Sequence, residues 1–200
     1  MKPSFILALV TLTGCLRQEV APQPEAATQP TPCIAPDAGA DSNASATNLV
    51  AAYGADASWE LRFSPAGGCT EAIVRLIASA RSSVQLQAYT FTSHPITTAL
   101  LAAQGRGVSV TVVLDRSAAT TAATSVLVTG GVTVYVDSKH AIAHNKVIIV
   151  DGAHVETGSF NYSYNAEYRN AENCLILHDR AMARAYSENF AFHQEHSSKL

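Results

Sequence analysis

The 200-residue chain lacks a basic excess: its formal net charge is −3, and from residue 50 onward 11 Lys and Arg face 12 Asp and Glu. A dedicated nucleic-acid binder carries a basic face or stripe, so this balance argues against a protein made only for that. Cysteines are few, four in all, and none are spaced as C-x-x-C, which argues against a thiolate metal finger. There is no carboxylate cluster of the kind that holds Mg²⁺. The apolar run after Met1-Lys2, Phe5 to Thr13, is too short to span a bilayer. Gly and Pro are not in excess. Apolar residues make up 48% and charged residues only 14%, which suits one packed domain with extensions.

The ends of the chain read differently from its body. Residues 1–14 have the short positive head and apolar core of a signal peptide. Leu12-Thr13-Gly14-Cys15 resembles a bacterial lipobox, which makes Cys15 the expected lipidation site; the alternative is an ordinary secretion signal in which Cys15 is incidental. Leu16 is not Asp, and by resemblance to Gram-negative lipoproteins that favours an exported lipoprotein of the cell envelope, on the outer membrane facing the periplasm. Residues 15–49 are rich in Ala, Pro, Thr, Gln and Ser without hydrophobic period, and read as a tether. Cys33 lies there; Cys69 and Cys174 lie in the domain, either as buried thiols or bonded to each other.

From residue 50 to 200 strand and helix signals alternate. Trp59–Phe63 predicts a strand, Thr70 the N-cap of a helix bearing Ile73, Leu76, Ile77 and Ala80 on one face. Strands follow at 84–91, 108–114 and 132–136, with helices from about 94 to 105 and 118 to 128 between them. A strand at 173–177 and a helix from about 180 to 193 close the chain. Such alternation implies one α/β domain, with a mixed, largely parallel sheet and helices on both faces.

Between residues 136 and 173 lies the chemistry. The buried run Val147–Val150 is entered through His144 and Lys146 and left through Asp151-Gly152, a hairpin signal. Gly158-Ser159-Phe-Asn161 follows. A two-residue turn sets His144 opposite Ser159, and a register shifted by two sets it opposite Asn161. Either way an imidazole, an ammonium, a hydroxyl and an amide share one surface, which makes a good phosphate site. Ser159 and Asn161 also admit the plainer reading of strand terminators.

The pattern H-x-K-x4-D followed by G-S-x-N resembles the signature of the phospholipase D superfamily. So do Phe63-Ser-Pro, Gln87-Ala-Tyr-Thr-Phe-Thr, Val113-Leu-Asp-Arg116 and Asn-Ala-Glu172-Asn, so that the likeness runs from about Ser58 to the C-terminus. It looks closest to the branch with one motif per chain, which holds bacterial endonucleases and relatives of mitochondrial cardiolipin hydrolase. The resemblance implies a phospholipase D-like fold and a phosphodiesterase needing neither cofactor nor metal. Its implied catalytic set is His144, Lys146, Asp151, Ser159, Asn161 and Glu172. His144 would attack phosphorus, Glu172 would orient it, and Lys146, Ser159 and Asn161 would hold the phosphoryl oxygens. Glu172 could equally be a surface salt-bridge residue. Asp151 has the opposite strand parity to His144, which favours a role in holding the turn.

His144-x-Lys146 is the only H-x-K, and two-motif relatives use a second imidazole as acid. The resemblance therefore implies a homodimer pairing two copies of His144. The expected partners are a second copy, the membrane through Cys15, and a phospholipid or nucleic-acid substrate, with phospholipid head groups favoured. A non-catalytic phosphate-binding module is the third reading. His140 and Ser163 are candidates for the substrate rim, with a loop histidine the alternative for His140. His94 reads as a helix cap, His154 as a hairpin residue, and His178, His193 and His196 as surface groups. Tyr162, Tyr164 and Tyr168 read as core or dimer contacts.

Overall fold

The computed structural model describes residues 49–53 and 57–200. The expected signal, Cys15, Cys33 and nearly all of the tether lie outside them. The described chain forms nine strands and five α-helices. The strands are β1 (Leu49–Tyr53), β2 (Ala57–Ser64), β3 (Ser83–Ala88), β4 (Ser109–Asp115), β5 (Thr133–Asp137), β6 (Lys146–Val150), β7 (His154–Gly158), β8 (Glu172–His178) and β9 (Ser198–Lys199). The helices are α1 (Cys69–Ser79), α2 (His94–Gly105), α3 (Ala122–Thr129), α4 (Tyr164–Tyr168) and α5 (Arg180–Glu195).

All nine strands join one sheet, in the order β1-β2-β8-β7-β6-β3-β4-β5-β9. The sheet is mixed, but parallel pairing is confined to β3–β4 and β4–β5. The other ladders are antiparallel, which corrects the expectation of a largely parallel sheet. Helical crossovers set β3, β4 and β5 side by side as parallel neighbours, whereas α1, α4 and α5 link strands that pair antiparallel or lie apart in the sheet.

Helices cover both faces. On one, Ile73 and Ile77 of α1, Ile96 and Leu100 of α2 and Leu127 of α3 bury against Val84, Leu86, Val112, Leu114 and Ile148. On the other, Ala183 and Phe190 of α5 bury against Val113, Val147, Ile149 and Val155. The run Val147–Val150 is therefore apolar at every position because it is covered on both sides.

Two local predictions shift. Thr70 does not cap α1. Its N-terminus is closed by a buried carboxylate from far along the chain: Glu167 accepts from Gly68 N at 3.0 Å and Thr70 N at 2.7 Å. The Ala/Thr-rich helix starts later than residue 118. Asp115 instead caps a 3₁₀ turn at Arg116–Ala118, and the Thr121 hydroxyl accepts from Thr124 N to begin α3.

Candidate active site

β3 and β7 end at the edge of the sheet where β6 and β8 begin, since Ala88 pairs with Lys146 and Gly158 with Cys174. Ligands of α/β sheets commonly lie outside such strand ends. The hairpin turn has three residues, not two: Ala153 N donates to Val150 O at 3.0 Å and Val150 pairs with His154. Asp151 and Gly152 both take positive φ, 54° and 58°, a conformation that Asp and Gly adopt at low cost. The extra residue moves the register by one, so neither expected pairing of His144 forms. His144 lies ahead of the ladder, on the loop entering β6. Convergence comes from strand ends meeting at one edge.

An open cleft of about 610 Å³ forms there, lined by His144, Lys146, Ser159, Asn161 and Glu172. Asn145, Thr157, Asn173 and Tyr186 complete its walls. The His144 ring is exposed. Lys146 is 5% exposed, and its Nζ sits 3.0 Å from each nitrogen of His144 and 2.8 Å from the His144 carbonyl oxygen. Burial lowers the pKa of this ammonium, while the Glu172 charge raises it. Tyr89, just past β3, packs its ring 4.7 Å from that of His144 and 5.3 Å from Lys146 Nζ.

The opposite wall is a tight polar lattice. Ser159 Oγ donates to Glu172 Oε2 at 2.6 Å and accepts from Asn173 N at 3.1 Å. Asn170 Nδ2 donates to Glu172 Oε1 at 2.9 Å. Both carboxylate oxygens of Glu172 thus meet partners on its own wall, Ser159 and Asn170, with the Ser159 hydroxyl as donor. Gly158 allows the close approach of β7 to β8, because a Cβ there would lie 2.2 Å from Asn173 O. Asn161 lines the cleft with a buried Oδ1 that has no hydrogen-bond partner. Such an orphan marks a place where a ligand or water completes the site.

Three expected site residues stand elsewhere. Asp151 lies at the other end of β6, roughly 16 Å along the strand from Lys146. Its carboxylate accepts from Arg81 N, Ser82 N and Ser83 N, at 2.9, 2.8 and 2.9 Å. These bonds, working against burial, hold its pKa down to about 2. Ser163 caps α4 by accepting from Ala166 N at 3.2 Å. His140 turns from the rim to Asp137, His193 and His196, so His193 and His196 are not independent surface groups. His154 and His178 face each other, Nδ1 to Nδ1, at 2.9 Å. Tyr162 is buried, whereas Tyr164 and Tyr168 are exposed and pair with each other. Cys69 and Cys174 are buried free thiols.

Tyr89 and Tyr186 also stand at the cleft. The run containing Tyr89 carried the only signal for it; Tyr186 sits on α5, whose return over the sheet no local pattern announces.

Fold and site together define a class: a mixed α/β sheet with H-x-K and G-S-x-N at one strand-end cleft. Residues 73–193 match the family described as cardiolipin synthase, PLD-like domain, so the chain belongs to the phospholipase D-like superfamily. It is 44% identical over 130 residues to "Phospholipase D" of Rickettsia prowazekii (strain Madrid E), covering 64% of this chain and 63% of that protein. It is 35% identical over 120 residues to "Mitochondrial cardiolipin hydrolase" of Xenopus tropicalis, covering 59% of this chain and 57% of that protein. The chain thus spans less than two thirds of the length of these curated relatives. The crystal structure of Nuc from Salmonella typhimurium, a phospholipase D family member, superposes with a TM-score of 0.69 at 34% identity, over 72% of this chain and 98% of that one. Among the described residues no helix is long and apolar enough to cross a membrane.

Proposed function

We propose that the chain is a metal-independent phosphodiesterase of phospholipase D type, acting on phospholipid head groups through a covalent phosphohistidine. The observation that carries this reading is one open cleft holding an exposed imidazole beside a buried ammonium. A phosphodiester resists attack because its oxygens are negative and its alkoxide leaves poorly. Lys146 neutralises the non-bridging oxygens, with the Asn161 amide as a further donor; each well-placed donor contributes about 3–4 kcal/mol. Glu172 fixes the Ser159 wall and lends negative charge that opposes the effect of burial on the Lys146 ammonium.

In the proposed reaction one ring nitrogen of His144 forms a bond to phosphorus, and the bond from phosphorus to the head-group oxygen breaks. The departing alkoxide takes a proton from a second imidazole, His144 of a second copy across a twofold axis. That imidazole, now neutral, removes a proton from water. The resulting hydroxide displaces the phosphoryl group from the first ring, giving a phosphate monoester and restoring both histidines. Lipidation at Cys15 would hold the domain at the outer membrane beside such a substrate.

The near-neutral domain and relatives named phospholipase D support the lipid substrate. Nucleic acid is the alternative, since the same cleft suits any phosphodiester. The test offers the full chain, in EDTA, phosphatidylcholine or cardiolipin vesicles, single-stranded DNA and an aryl phosphodiester. Vesicle hydrolysis abolished by His144→Ala, with an acid-quenched phosphohistidine in the unaltered chain, is the expected result. Nuclease activity without lipid turnover, falling steeply with salt, would replace the substrate assignment. Turnover surviving in His144→Ala would end the mechanism.

A further inference from the structure

Four side chains outside the cleft converge where β5, the loop before His144 and the end of α5 meet. Asp137 is fully buried at the end of β5. Its Oδ1 accepts from Lys139 N at 3.0 Å and His140 N at 3.3 Å. Its Oδ2 faces three ring nitrogens: His140 Nδ1 at 2.9 Å, His193 Nδ1 at 3.0 Å and His196 Nε2 at 3.2 Å. These four atoms all lie within 4.8 Å of one another. The three rings have centroids 4.9, 5.2 and 5.5 Å apart, and the Phe192 ring stands edge-on against His193 and His196.

Hydrogen bonding alone explains this arrangement poorly. Neutral imidazoles would all have to donate to one carboxylate oxygen. Three imidazolium rings in contact would repel, and a single carboxylate cannot neutralise them. A dication answers both difficulties, because each nitrogen then presents a lone pair to it and the carboxylate supplies negative charge. With metal–ligand bonds of about 2.0 Å, neighbouring corners of a tetrahedron stand about 3.3 Å apart. The three nitrogen–oxygen separations are already close to that edge.

The donors also select the cation. Three imidazoles with one carboxylate suit zinc and its neighbours, whereas Mg²⁺ and Ca²⁺ require oxygen. The free carboxylate oxygen is held by two backbone N–H groups, the outer support that ligating side chains commonly have. The sequence carries the signal as two short spacings, Asp137-x-x-His140 and His193-x-x-His196, the second on the last turn of α5 and its cap. We propose that Asp137, His140, His193 and His196 form a closed, four-ligand site for a divalent transition-metal ion of the zinc class. Bound there, the ion cross-links β5, the C-terminal end of α5 and the loop leading to His144. None of the four residues lines the catalytic cleft, so the ion is structural, and the inference stands whether or not the phosphodiesterase reading does.

The full chain, stripped with chelator and dialysed, is titrated with Co²⁺ and then Zn²⁺. The expected result is one Co²⁺ per chain with the intense visible absorption of tetrahedral coordination, bleached by one equivalent of Zn²⁺, and a higher melting temperature with Zn²⁺. His193→Ala and the loop variant His140→Ala should each weaken binding at least about tenfold. A His154→Ala, His178→Ala double variant, which removes the other histidine pair, should bind as the unaltered chain does. Weak or non-saturating Co²⁺ binding, or binding that survives in His140→Ala and is lost in the His154/His178 variant, would overturn the proposal.

Discussion

At the scale of single residues, the contrast between Asp151 and Glu156 shows what a motif conveys and what it omits. Asp151 belongs to the H-x-K-x4-D pattern, yet it serves the backbone of residues 81–83 at the far end of the strand. Strand parity already turned it away from His144, so that much was legible. Glu156 offered no signal, being one polar residue in a short strand. It is wholly buried, accepts from Tyr162 OH at 2.7 Å and leaves Oε1 without a partner. Burial raises its pKa to about 7, the Tyr162 bond opposing. Because the folded value exceeds the unfolded one, Glu156 favours folding most below about pH 4.5, and that contribution is lost as pH rises to about 7. Urea unfolding across this window should show stability falling with pH by a few kcal/mol, on the order of 3. Glu156→Gln should flatten that dependence.

Among the elements, core helices and strands were readable because period and punctuation agreed. Pro95 opens α2 and Gly105 closes it, and the run 147–150 is buried throughout. The turn length was not readable. Asp-Gly fits a two-residue loop, but Ala153 joins it, and one residue decides which side chains face each other. Nor was the Glu167 cap, because nothing in the sequence near Thr70 names a carboxylate 97 residues away. Glu167→Ala would leave Gly68 N and Thr70 N unpaired and should cost about 1–3 kcal/mol. Equilibrium urea denaturation should show the lower midpoint, while the secondary structure by circular dichroism is kept.

For the whole molecule, the parallel core β3–β4–β5 was implied by alternating strands and helices, whereas the antiparallel flank depended on which distant strands meet. The residues that line the cleft were legible because strand ends carry them in a compact pattern. The His cluster was not, since its two halves lie 53 residues apart, from His140 to His193. A single H-x-K per chain has a consequence for assembly: on the proposed reaction, a monomer holds a nucleophile without an acid. Specific activity should therefore fall on dilution in parallel with the dimer fraction measured by sedimentation. Constant activity through the dissociation range would remove the shared-site model.

The contact between Lys146 and His144 bears on selectivity. With Nζ 3.0 Å from both ring nitrogens, the cation that the proposed reaction uses to hold phosphate already lies against the proposed nucleophile. An anion entering there would share the ammonium's hydrogen bonds with the ring. On the proposed reaction an uncharged compound would miss that attraction, so one side chain would both admit the substrate and place it against the ring.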